Sequence, residues 1–175
     1  MLGMRLVRLI EGHSDELSLG LSEQIRKSER TSDFRRILPQ ELQLAATEVY
    51  RNLGEWLMQK TEADIAARFR MVAARRAGEG IRLHQFVWAL TLSRDHLLHF
   101  LRHEGFADNI VALHGEMELQ RQLNQFFDRA VYYAIQGYEE ADECSPKGDL
   151  ARARELAMSI GLMAPPESDL EIAKD

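Results

Sequence analysis

The chain has 175 residues, 45% of them hydrophobic, which is enough for one domain with a sizeable core. Its formal charge of −6 is uneven: 16 basic residues against 14 acidic ones through Gly105 give +2, and 6 against 14 from Phe106 onward give −8. Basic charge is nowhere concentrated, which argues against nucleic acid as a partner, and no apolar run approaches the ~20 residues that cross a bilayer, so no membrane insertion is expected. A single cysteine, Cys144, and no secretory pattern at the N-terminus set the expectation of a cytoplasmic protein.

Apolar residues recur at helical spacing almost from the start. Leu6, Leu9, Ile10, Leu17, Leu19, Leu21 and Ile25 predict one helix over about Arg5 to Lys27, weakened at Gly12 and Gly20. A polar stretch from Ser28 leads to a short helical turn at Phe34 to Leu38. Pro39 then suits the first position of a helix with Leu42, Ala45, Ala46, Val49, Tyr50, Leu53 and Leu57 inward. Thr61 with Asp64 has the spacing of a capping box and opens a helix over Glu62 to Arg76, closed by Gly78 and Gly80. From Arg82 to His103, Leu83, Phe86, Val87, Leu90, Leu97 and Leu101 fall in one arc, with Leu90 and Leu97 expected to be buried. The longest helix is expected over Ala107 to about Glu143, with a seam of Ala112, Leu119, Leu123, Phe126, Ala130, Tyr133 and Gly137. Ser145-Pro146-Lys147-Gly148 breaks the chain before a small helix with Leu150, Ala153, Leu156, Ala157 and Ile160 inward. The expected organisation is therefore an all-α bundle of five to seven helices over residues 1–161, a globin-like arrangement being one option, and an acidic, disordered tail over 162–175.

Few residues suggest chemistry. Neither phosphate-binding glycine loop is present, Gly78-Glu79-Gly80 closes a helix, and no nucleophile elbow, Cys/His pair or kinase motif set occurs, so an enzyme is not expected. Arg75-Arg76 and the carboxylate pairs Glu116/Glu118 and Glu139/Glu140 read as solvated helix faces. His96, His99 and His103 share one helix face with Trp88 and Leu92, off the core stripe. No carboxylate or thiol at matching spacing completes a metal set, so neither metal nor haem is expected, and no cofactor. The aromatic cluster Phe126-Phe127, Tyr132-Tyr133 and Tyr138 suits core, or the lining of a small-molecule pocket. Beyond its seam the long helix carries Leu113, Met117, Phe127, Val131, Ile135 and Tyr138, more apolar surface than one bundle covers, which points to a symmetric homodimer. Trp88, Leu92, His96, His99, His103, Phe127 and Tyr138 are the candidate interface residues, and histidine protonation near ~6.5 is expected to loosen that contact.

Two segments, Gly80 to Leu90 (GIRLHQFVWAL) and Leu123 to Ala130 (LNQFFDRA), carry a resemblance. Together they resemble the helical N-terminal sensory domain of the RsbR/RsbRD family, the RsbT co-antagonists of bacterial stress signalling, and similar input domains of bacterial sensor histidine kinases. The likeness covers about Leu6 to Tyr138. It implies a dimeric, all-helical, non-enzymatic input domain that passes a signal to a partner. The family's phosphorylatable STAS domain is absent, so the resemblance carries no output activity here. A bundle holding a small molecule, haem or metal, as carrier or enzyme, is the alternative.

Overall fold

The computed structural model describes residues 2–104 and 110–144, with side chains from 4 to 104 and from 113 onward. Among the described residues it is all-α, with seven α-helices, one 3-10 helix and no strand. The chain divides into two compact units, Met1–Tyr138 and Glu139–Asp175. Of the second unit only the end of the last helix and Cys144 are described. The predicted helix at Leu150 to Ile160, the 161/162 boundary, the tail and Ala112 of the seam lie outside the described residues or side chains.

The predicted first helix is two, α1 (Leu2–Gly12) and α2 (Ser14–Lys27), and Leu19, expected on the inward stripe, is 50% exposed on the face of α2 away from Leu17 and Leu21. The break falls at His13 (φ −105°, ψ 15°), after Gly12, whose helical preference is lower than that of any residue but proline. His13 holds the end of α1 closed, its ring Nδ1 lying 2.9 Å from the Leu9 carbonyl. Asp15 and Glu16 in the first turn of α2, and Arg26 and Lys27 in its last, complement the helix dipole. The 3-10 helix over Glu29–Arg36 is capped by the Ser28 side chain, which accepts from the Arg30 amide. Its buried Asp33 and Phe34 face inward: the Asp33 amide donates to Gln85, and Arg82 donates to the Asp33 carboxylate at 2.8 Å.

Pro39 opens α3 (Pro39–Arg51) at the position expected for it, but the helix turns at Asn52 into a separate short α4 (Leu53–Met58). The capping box that starts α5 (Glu62–Gly78) is present in both directions, Asp64 amide to Thr61 hydroxyl and Thr61 amide to Asp64 carboxylate. After it, Gly80 has φ 77°, a left-handed conformation that glycine adopts without strain. α6 (Leu83–Glu104) and α7 (Ile110–Glu143) complete the bundle.

The core runs through α1, α2, α3, α5, α6 and α7. Leu90 and Leu97, at 9% and 0% exposure, lie in it as the periodicity predicts. On α7 the seam residues Leu119, Leu123, Phe126 and Ala130 are buried and Tyr133 half-buried. Phe126 meets Trp56 of α4 and Phe69 of α5 with ring centres 6.1 and 5.7 Å away. At Gly137, α7 lies so close to α5 that a Cβ there would stand 2.6 Å from the Arg70 carbonyl oxygen. α2 packs on α3 and α6, and its row of Ser14, Ser18 and Ser22 is buried, with the Thr47 hydroxyl donating to Ser18 at 2.7 Å.

Candidate functional site

The predicted interface residues separate into three groups. Trp88 and Leu92 of α6 are half-buried beside Gly20 and Gln24 of α2, along an open groove that includes Arg30. The Arg30 guanidinium lies over the Trp88 ring, 4.4 Å from its centre, so one face of the indole is already covered by a cation. His96 sits one turn further on, half-buried because α2 presents no side chain at Gly20, where a Cβ would stand 3.3 Å from the imidazole. Burial holds His96 below its ordinary 6.5 against the opposing pull of a hydrogen bond with the Leu17 backbone; His99 adds to the lowering. Protonation near ~6.5 therefore does not describe His96.

His99 and His103 form the second group, exposed, with ring centres 4.3 Å apart. Among the described residues no three His, Cys, Asp or Glu side chains converge on a point where a metal ion would sit. The third group turns inward. Phe127, expected at an outer contact, is 4% exposed and part of the bundle's own core, its ring 5.3 Å from that of Phe126 and lining the same pocket as Phe69 and Phe86. Tyr138 is half-buried, its hydroxyl donating to the Ile81 carbonyl at 2.9 Å and its ring 5.8 Å from Phe86, and burial raises its pKa. Exposed apolar surface does remain on α7 at Leu113 and Met117.

A second feature was visible in the sequence only at Phe127, the one member of the aromatic cluster that lines it. The first unit contains a largely apolar pocket of about 110 Å³ that is partly open to solvent. Its wall takes Leu21 from α2, Phe34 from the 3-10 helix, Val49 from α3, Phe69 from α5, Phe86 from α6 and Phe127 from α7. α3 and α5 flank it and are tied across by ion pairs, Glu48 to Arg68 and Glu41 to both Arg75 and Arg76.

Arg76 corrects the expectation of a solvated Arg75-Arg76 face. It is 4% exposed, on the buried stripe of α5 with Ile65, Phe69 and Ala73, and lines the cavity. Its charge is matched by Glu41 at 2.9 Å and by Glu79. Burial works to raise Glu79, but the hydrogen bonds from Arg76 and Arg75 outweigh it and hold that carboxyl below its usual range. The signal was present in the spacing of Ile65, Phe69, Ala73 and Arg76, but a guanidinium on an apolar stripe reads as outward unless its carboxylates, from α3 and the end of α5, are known.

No helix among the described residues is long and apolar enough to cross a membrane. Compared with known proteins, the chain matches no family model, no curated protein and no solved structure.

Proposed function

We propose that this chain is a non-enzymatic input module of a bacterial signalling system, which takes a small molecule into its core and answers through a contact with another protein, first of all a second copy of itself. The observation that carries this reading is the apolar cavity. Side chains from five helices and the 3-10 segment meet at it, so occupancy bears on the packing of most of the bundle at once. A concave, largely apolar pocket at the meeting point of several helices is the usual place for a small ligand in a helical bundle. α6 connects the two ends of the proposal: Phe86 and Leu90 line the cavity, while Trp88 and Leu92 on the same turns border the α2/α6 groove. Leu113 and Met117 on α7 add exposed apolar surface for the contact. The resemblance to RsbR-type sensory domains agrees with this reading and extends it to stress signalling.

The test is coupling. By linkage, a ligand that favours one state of the bundle shifts the dimer equilibrium by the ratio of its affinities for the two states, commonly ~5-fold or more. Light scattering on the whole chain across a concentration series, with and without saturating benzene as the probe, measures it. The proposal expects a dimer, weakened in Trp88→Ala without loss of helicity, whose dissociation constant moves by about 5-fold or more on adding benzene. A monomer at every concentration, or a dimer indifferent to the probe, contradicts it.

A further inference from the structure

The chemistry of the cavity wall narrows the ligand. Every polar side chain in that wall is already engaged by the protein. Ser22 donates its hydroxyl to the Pro39 carbonyl at 3.3 Å, Tyr50 donates to the Ser93 carbonyl at 3.3 Å, and Ser93 donates to the Ala89 carbonyl at 2.8 Å. Arg68 is paired with Glu48, and Arg76 with Glu41 and Glu79. No buried side-chain nitrogen or oxygen among the described residues is left without a partner. An anionic ligand would have to take a guanidinium from its carboxylate, stranding a negative charge at the edge of an apolar space; a cationic one would meet carboxylates already saturated by arginine. A ligand that needs to accept a hydroxyl proton finds those of Ser22, Tyr50 and Ser93 already given to backbone carbonyls.

We infer that the cavity is a binding site for a neutral, apolar molecule no larger than about a single benzene ring, held by shape and dispersion alone. This rests on the cavity reading given above and adds the class of ligand. Size points the same way. A cavity of about 150 Å³ lined by Leu, Ile and Phe takes benzene or xenon; the space here is about 110 Å³, partly open, with Leu21, Ile25, Phe34, Phe69 and Phe86 making up much of its wall beside the engaged polar groups. The engaged arginines are what make the site selective: their pairing with glutamates removes the electrostatic pull that a lone buried cation would exert on carboxylates, so neutral molecules win by default rather than by a dedicated contact.

The experiment is thermal unfolding of the whole chain at pH 7.5 with benzene, toluene, benzoate and benzylammonium at equal concentrations, followed by calorimetric titration of any that stabilise. The expected result is a rise in Tm of about 2–4 °C with benzene near fivefold its Kd, a smaller effect from toluene, whose extra methyl exceeds the space, and none from the two ions. Ala89→Leu and Ala46→Leu, which add side chains at two different walls, should each weaken benzene binding at least tenfold. Circular dichroism identifies a variant that has merely lost its fold, and the other then serves. Benzoate or benzylammonium binding as well as benzene overturns the neutral class while leaving a core ligand site in place. Benzene binding equally in wild type and both folded variants overturns this location. If none of the four binds, the cavity reading itself fails, and the inference with it.

Discussion

Gly137 is where the α5/α7 crossing admits no side chain at all. A Cβ at that position would stand 2.6 Å from the Arg70 carbonyl oxygen, 2.8 Å from the Arg70 Cα and 2.9 Å from the Ala73 Cβ, and the first two are backbone atoms that cannot swing away. Gly137→Ala should therefore destabilise the bundle by about 1–3 kcal/mol, although in an ordinary helix interior the same change is favourable; denaturant unfolding checks the sign, and a stabilised variant would contradict the crossing. His96 makes a prediction about pH. Its folded pKa is lowered from 6.5 by burial, with His99 nearby adding to the effect and the Leu17 hydrogen bond opposing it. The neutral ring is the favoured form in the fold, so the stability it contributes is complete above 6.5 and drains as pH falls through the folded value. His96→Gln should flatten the stability profile below pH 6.5 relative to wild type, down to the acid range where the Asp33 and Glu79 carboxylates, held low by Arg82 and by Arg76 and Arg75, begin to protonate. Equal slopes in the two proteins would show that His96 is solvated. At this scale the sequence disclosed Leu90 and Leu97, since an apolar side chain on an apolar arc has one place to go. It concealed Arg76 and Phe127, because where those side chains point is decided by partners on other helices.

Helix starts and stops follow local chemistry, and for that reason they were largely legible. Pro39 at the head of α3, the Thr61/Asp64 box and the glycines after α5 stand where predicted, each effect contained within a few residues. The split of α1 from α2 at His13 and of α3 from α4 at Asn52 was not legible, because the apolar period continues through both breaks. Nor was the serine row of α2. Ser14, Ser18 and Ser22 read as polar, yet all three are buried, their small volume letting α3 come close, with the Ser18 and Ser22 hydroxyls donating to backbone carbonyls and Ser18 accepting from Thr47. A bulky replacement tests this: Ser18→Leu forces extra volume into the α2/α3 contact and leaves the Thr47 hydroxyl without Ser18, and should cost about 1–3 kcal/mol, while Glu23→Leu on the exposed side of α2 should change stability by less than about 0.5 kcal/mol. Similar losses for both would place the serine row at the surface.

For the whole molecule, the all-α bundle could be derived from periodicity, but its cavity could not, because a pocket is a property of how six elements meet and, Phe127 aside, leaves no trace along any one of them. Leu90→Ala probes the wall directly. It removes buried methyl groups and enlarges a space that already exists, so the loss should be about 2–5 kcal/mol, partly recovered when toluene fills the added volume; a loss that toluene does not reduce would argue that the wall collapses rather than opens. The central claim, that an open apolar cavity lies among Val49, Phe69 and Leu90 and admits a neutral guest, is met most directly by crystals of the chain held under xenon pressure. Xenon binds apolar cavities without needing charge or hydrogen bonds. The account predicts a strong anomalous peak in contact with those three side chains, absent from crystals of a folded Ala89→Leu variant; a wild-type core with no xenon in it would contradict the claim.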